Sequence, residues 1–110
     1  MNLNGTEIVF REATYNAFGR RAIIAFEKET DEIYGDVTIN LPAFPLENNR
    51  IFLTGNSPIL IEEMVKQGYL KIHDSVKFNY GTYEIGELLP KFEDEVEPLE
   101  FDEEFNDDDE

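Results

Sequence analysis

The chain has 110 residues, enough for one domain, and carries a formal net charge of −16. Such a charge disfavours contact with nucleic acid and with anionic membranes, so a partner recognised through charge should be basic. The absence of cysteine excludes disulfides and thiolate metal sites, and the first residues lack the apolar segment of a secretory signal. We therefore expect a cytoplasmic protein without a membrane-spanning segment.

The first half of the chain predicts three strands. Residues 6–11 are rich in strand-forming side chains, and Asn4-Gly5 before them is typical of a tight hairpin turn. Residues 20–29 predict a second strand. After a polar break, apolar and polar residues alternate over 33–41, which indicates a third, half-buried strand. The second and third strands should pair as an antiparallel hairpin.

The second half predicts one helix among further strands. A short strand over 50–54 follows a loop with two prolines, and Ser57 with Pro58 is typical of a helix start. Gly68 favours the left-handed conformation that ends a helix. The residues between are mainly apolar, so the helix should pack against a sheet. Three more short strands are predicted, over 69–72, 75–80 and 82–85.

These elements predict an α+β domain over residues 1–90, with one helix packed on an antiparallel, twisted sheet of about five to six strands. Residues 91–110 should form a disordered acidic tail, because the carboxylates there repel one another and offer little apolar surface. The predicted core consists of apolar residues on the inner faces of these elements: Ile8, Phe10, Ile23, Ala25, Val37, Ile39, Leu41, Phe52, Ile61, Met64, Val65 and Val76.

The tail is the most unusual segment, because residues 92–110 contain twelve acidic residues, no basic residue and three Phe. One role for such a tail is simply to increase solubility, but exposed aromatic side chains work against that role. Phe101 and Phe105 would share one face of a bound helix, which is typical of a segment that recognises a basic, apolar groove. The predicted partner-binding residues are Phe101, Phe105, Asp102, Glu103, Glu104, Asp107, Asp108, Asp109 and Glu110.

The spacing of these charges differs from that of duplex DNA. In an extended tail the carboxylates fall roughly every 5–6 Å, whereas a duplex carries one charge per about 1.7 Å of axis and a single strand one per about 3.4 Å. The tail is thus closer to a single strand, with Phe rings in the place of stacked bases. Imitation of a duplex would need a second row of acids from the body: Glu7, Glu27, Glu29, Asp31, Glu32, Asp36 and Glu47.

The sequence predicts no catalytic site, no cofactor and no metal site. His73 is the only histidine, and its neighbour Asp74 should point to the opposite face of a strand, so the pair is unsuited to general base catalysis. We expect His73 to face solvent. The acids of the tail lack the glycine-containing loop of a calcium site. Four basic residues should be solvated, unless they form a small patch on which the tail docks: Arg20, Arg21, Lys71 and Lys77.

Several motifs resemble a family of small uncharacterised proteins carried by conjugative transposons, plasmids and phages of Gram-positive bacteria. The motifs are Thr38-Ile39-Asn40-Leu41-Pro42, Ile51-Phe52-Leu53, Gln67-Gly68-Tyr69 and the Tyr-x-x-x-Gly-Arg pattern of residues 15–20. The resemblance covers roughly residues 4–90, and the family supplies no established activity or catalytic residues. What it implies is a setting, because small acidic proteins of such elements often inhibit host defence by imitating DNA.

We therefore expect a non-enzymatic acidic binding protein that occupies a basic, nucleic-acid-binding site on a host protein and does not itself bind nucleic acid. Its most specific form is a nucleic-acid mimic that inhibits a host defence nuclease, of the antirestriction or anti-CRISPR type. The alternative is an accessory protein of a mobile element that binds through its sheet face, with the tail only a solubilising appendage.

Overall fold

The computed structural model describes residues 1–47 and 49–99, except for the side chain of Ala17. Within these residues the chain is mainly antiparallel sheet with two helices, which confirms the α+β class. In chain order the elements are β1 (Asn2–Leu3), β2 (Thr6–Thr14), a 3-10 turn (Ala17–Gly19), β3 (Arg21–Glu27), β4 (Ile33–Asp36), β5 (Thr38–Ile39), β6 (Arg50–Leu53), α1 (Pro58–Lys66), β7 (Leu70–Phe78), β8 (Gly81–Leu88), α2 (Pro90–Glu95) and β9 (Glu97–Pro98).

The strands form two sheets, where the sequence predicted one. The first has the order β1-β2-β3-β4, with β9 added beside β2, and the second has the order β5-β6-β8-β7. The predicted third strand is divided between them, because β4 pairs with β3 and β5 pairs with β6. Val37 lies at the division. Its amide donates to the carbonyl of Ile23 in the first sheet, and its carbonyl accepts from the amide of Thr54 after β6.

Local signals placed the hairpin and the helix correctly. Asn4 and Gly5 both have positive φ, 51° and 92°, and turn β1 into β2. Pro58 begins α1, and Gly68 follows its end with a φ of 85°. The α1 residues Leu60, Ile61 and Met64 are buried.

The core is a cluster of apolar side chains from both sheets and both helices. Nine of the twelve predicted core residues are buried, whereas Ile39 and Val76 are half-buried and Val65 is 40% exposed. The prediction for Val65 is wrong because α1 turns a narrower apolar stripe inward than its composition suggests. The core also contains buried apolar residues that were not predicted from the sequence: Met1, Leu3, Phe26, Ile51, Leu53, Leu60, Tyr69, Leu70, Leu88 and Phe92.

Residues 91–99 are part of the fold, which corrects the expectation that the tail begins at residue 91. In α2 the Phe92 side chain is completely buried, and its ring centroid lies 5.2 Å from that of Phe10. Val96 packs against the same core. Phe92 and Val96 lie one helical turn apart, so both reach the core although the average composition of the segment is acidic. Residues 100–110 lie outside the described residues.

Candidate functional site

All nine predicted partner-binding residues lie outside the described residues. They are residues 101–105 and 107–110. The structure does describe the base from which that segment continues, namely α2 and β9. How this base is held determines where the acidic segment leaves the body and which acids remain available to a partner.

Arg21 of β3 holds the start of α2. Its Nε and Nη2 donate to the two carboxylate oxygens of Glu12 at 2.9 and 2.6 Å, and its Nη1 and Nη2 donate to those of Glu93 at 2.8 and 2.9 Å. Such paired, charge-assisted bonds fix geometry as well as adding energy. The bonds from Arg21 lower the pKa of Glu93. One acid of the predicted tail is therefore already used within the protein.

Tyr69 holds the other end of α2. Its hydroxyl donates to both carboxylate oxygens of Glu95, at 2.9 and 3.0 Å. Burial of the phenol and its bond to Glu95 raise the pKa of Tyr69 to about 12. Lys91 Nζ donates to the carbonyl of Gln67 at 2.8 Å and lies 4.5 Å from the centre of the Tyr69 ring. The helix is thus fixed at both ends.

Strand β9 sets the direction in which the chain continues. It runs parallel to β2, with Glu97 beside Arg11 and Pro98 beside Glu12. The amide of Leu99 then donates to the carbonyl of Glu12 at 2.8 Å. Because the pairing is parallel, the chain at Leu99 points toward the Thr14 end of β2, where the β2–β3 connection lies.

The body acids proposed as a second row are only partly brought together. Glu7, Glu27 and Glu29 line one depression of about 280 Å³ at the other end of the first sheet, where β2 begins and β3 ends. Asp31 forms an ion pair with Arg11 at 2.6 Å. Glu47 lies apart from them in the loop before β6, with a carboxylate oxygen 3.8 Å from an Arg50 nitrogen.

His73 is exposed, as predicted, but it has a partner that the sequence did not reveal. The pairing of β7 with β8 shifts register between Ile72 and Asp74, which leaves His73 as the extra residue of a bulge. Its Nε2 lies 2.6 Å from Oε1 of Glu87 on β8, and this bond lowers the pKa of Glu87. In the described ranges no group of three or more His, Asp or Glu side chains could hold a metal ion.

A recess of about 580 Å³ contains three arginines, Arg20, Arg21 and Arg50. Arg20 donates to the carbonyls of Leu41 and Phe44 and so ties the loop before β6 to the body. Phe44 in turn packs its ring edge-on against other aromatic rings. Arg21 is also engaged by two carboxylates, so two of the three arginines of this recess are held within the fold.

A second groove, of about 440 Å³, lies between α1 and the β7–β8 hairpin. Its walls combine apolar side chains with two carboxylates: Leu53, Pro58, Ile61, Val65, Ile72, Glu62 and Glu84 are among the lining residues. The sequence alone does not indicate this groove. The apolar character of α1 was visible in the sequence, but which strands face it depends on long-range pairing.

Comparison of the chain with protein-family models, with curated proteins and with solved structures gave no match. Across residues 1–47 and 49–99, neither helix combines the length and apolar character that crossing a membrane requires.

Proposed function

We propose that the protein is a non-enzymatic binding protein that presents carboxylates to a basic site on another protein. The observation that carries this proposal is the composition of the segment after Leu99. Residues 100–110 contain eight acidic residues, two Phe and no basic residue. They follow a base that is hydrogen bonded into the first sheet.

The average spacing between charges becomes shorter when only the residues after Leu99 are counted. Four of the twelve acids counted from residue 92 lie in residues 92–99, and Glu93 and Glu95 among them bind Arg21 and Tyr69. The remaining eight, in an extended chain of eleven residues, fall roughly every 4.5–5 Å. The phosphates of a single strand are about 3.4 Å apart. The charge spacing of residues 100–110 is closer to that value than the spacing averaged over residues 92–110.

The most specific form of the proposal is a mimic of single-stranded nucleic acid that inhibits a host defence nuclease, of the antirestriction or anti-CRISPR type. The charge spacing and the Phe residues support it, because single-strand-binding sites combine basic grooves with stacking platforms. The resemblance to proteins of mobile elements makes such nucleases the first partners to test. A duplex-like double row has less support, because Asp31 and Glu47 lie beside arginines.

A second candidate is an accessory protein that binds a partner through its folded body, with the acidic segment only increasing solubility. The observation that favours it is the groove between α1 and the β7–β8 hairpin, where Val65 is 40% exposed. The two candidates differ in what removal of residues 100–110 does to the affinity for a partner.

The test is inhibition of purified restriction and CRISPR nucleases, measured as cleavage of their DNA substrates with the protein present. The full chain should compete with DNA, and a chain ending at Leu99 should be a weaker inhibitor by about tenfold or more, because phosphate-like contacts are lost. The double change Phe101→Ala with Phe105→Ala separates the rings from the charge. Equal inhibition by the full and the shortened chain would refute the role of the segment.

A further inference from the structure

We propose that the groove between α1 and the β7–β8 hairpin binds a large apolar side chain from a basic segment of the partner protein. This inference rests on the proposed function, since it assigns part of the recognition of a basic partner to the folded body. It adds a contact that is separate from residues 100–110.

The groove has room for a large apolar anchoring side chain. Its volume of about 440 Å³ lies within the range typical of ligand pockets. Buried Leu53 and Ile61, 3% and 7% exposed, lie at its base, while Ile72 is half-buried and Val65 is 40% exposed. An apolar side chain placed there would cover surface that α1 leaves open, and such pockets are where interface anchors concentrate.

The charges at the groove select the occupant. Glu62 and Glu84 line the groove and are exposed, and no basic residue in the part of the chain that the structure describes lines it. Among the described residues neither carboxylate takes part in an ion pair or a side-chain hydrogen bond, although Lys66 lies one helical turn after Glu62. Unpaired carboxylates beside an apolar floor favour a segment in which Lys or Arg flanks the anchor.

The same charges disfavour the chain's own acidic segment as the occupant. Residues 100–110 do contain two Phe, but eight carboxylates accompany them. Placing these beside Glu62 and Glu84 would bring like charges together, which disfavours the contact. The same repulsion applies to the acidic segment of a second copy of the chain, so a basic partner remains as the occupant.

The experiment is a titration of the full, ¹⁵N-labelled chain with the peptide acetyl-Lys-Arg-Phe-Arg-Lys-amide, followed by amide chemical shifts. Two control peptides replace the Phe by Gly, or the four basic residues by Glu. We expect the Phe peptide to shift amides around the groove, including those of Val65 and Ile72. The Gly peptide should bind there about tenfold more weakly, because it lacks the apolar anchor.

Two exposed apolar residues of α1 provide matched variants. Val65→Gln lies in the groove, and Ile59→Gln lies outside it at a side chain that is 60% exposed. Glutamine is a better helix former than valine or isoleucine, so neither change should unfold α1. Val65→Gln should weaken the Phe peptide about fivefold by adding polarity to an apolar wall, and Ile59→Gln should leave its affinity unchanged.

Charge is tested in the same titration. Glu62→Gln combined with Glu84→Gln should weaken the Phe peptide about threefold to tenfold, as expected for exposed ion pairs. The control, Asp94→Asn with Glu97→Gln, changes the net charge equally at residues of α2 and β9 that do not line the groove, so it should have no effect there.

Each remaining outcome overturns the inference in a recognisable way. Equal binding of the Phe and Gly peptides at the groove would mean that only charge contributes there. Binding of the acidic peptide as tight as that of the Phe peptide would mean that charge does not determine which segment binds. If the basic peptides shift only residues outside the groove, the groove proposal fails while the proposed function stands. If they bind nowhere on the full chain, both fail.

Discussion

The stability of this domain should depend strongly on Phe92. The acidic composition around this residue predicted a tail and not a part of the core. Its side chain is completely buried, 5.2 Å from the Phe10 ring between centroids. The Phe10 ring in turn lies 5.5 Å from that of Tyr69. Phe92→Ala would therefore open a cavity at the centre of an aromatic cluster.

The size of the effect follows from the burial. Replacing a buried Phe by Ala removes its transfer free energy and leaves unfilled space, which together cost about 3–5 kcal/mol. A single domain has a free energy of unfolding of about 5–15 kcal/mol in total. Phe92→Ala should therefore remove roughly a fifth of the stability or more. A chain ending at Lys91 should lose still more, because the bonds from Arg21 to Glu93 and from Tyr69 to Glu95 disappear as well.

The assay is equilibrium unfolding in urea followed by circular dichroism, since the chain has no Trp to report by fluorescence. Tyr80→Ala is the control, because Tyr80 is fully exposed at the tip of the β7–β8 hairpin and should change the free energy of unfolding by no more than about 0.5 kcal/mol. A chain ending at Leu99 should also unfold like the full chain. If the free energy of unfolding of Phe92→Ala is within about 1 kcal/mol of the wild-type value, then α2 does not contribute to the core.

Three further measurements test other parts of the fold. Arg21→Gln should lower the free energy of unfolding by about 1–2 kcal/mol in urea, less at high salt, because it removes two partly exposed ion pairs; no change would mean that Glu93 is not held. The pKa of Tyr69 rises from 10.0 to about 12 in the fold, so its contribution should be complete below pH 10 and lost as the pH approaches 12; the absorbance of tyrosinate, compared with Tyr69→Phe, checks this. Gly86→Ala should destabilise by about 1–3 kcal/mol, because a Cβ there would lie 2.8 Å from a buried leucine carbon, whereas Gly55→Ala, with no atom within 4 Å, should be neutral in the same urea assay.

The parts of the fold that the sequence predicted correctly depend on local signals. Asn4 and Gly5 are the residue types that tolerate positive φ best, and Pro58 and Gly68 mark the ends of a helix through their own backbone preferences. The division of the third strand does not have such a signal. The alternation continues through Val37, because one buried side chain serves both sheets, and the change of partner strand is a long-range property.

The candidate sites required information that the sequence does not carry in one place. Glu87 meets His73 only because a bulge in β7 shifts the register by one residue. The groove beside Val65 exists because β7 and β8 lie next to α1. The sequences of these strands do not show that they lie beside this helix. Phe92 could have been recognised by its spacing from Val96, but the acids around it dominate any average over the segment.

The position of Leu99 also decides how the acidic segment and the body acids can cooperate. The chain there points toward the Thr14 end of β2, whereas Glu7, Glu27 and Glu29 lie at the other end. Strand β2 has nine residues and spans about 30 Å, and eleven further residues reach at most about 36–40 Å when extended. Alignment of the two acidic regions would thus need the segment to run back along the sheet, against repulsion between like charges.

We therefore expect two acidic regions, residues 100–110 and the group Glu7, Glu27 and Glu29, to contact a basic partner independently. Glu27→Gln with Glu29→Gln should weaken binding by a factor that is the same in the full chain and in a chain ending at Leu99. Changes at separate sites add within about 0.5 kcal/mol, which is close to a factor of two in affinity. Titration of all four proteins against the same partner at one salt concentration measures this. A loss that appears only when residues 100–110 are present would mean that the regions form one row, because only a shared binding surface couples them.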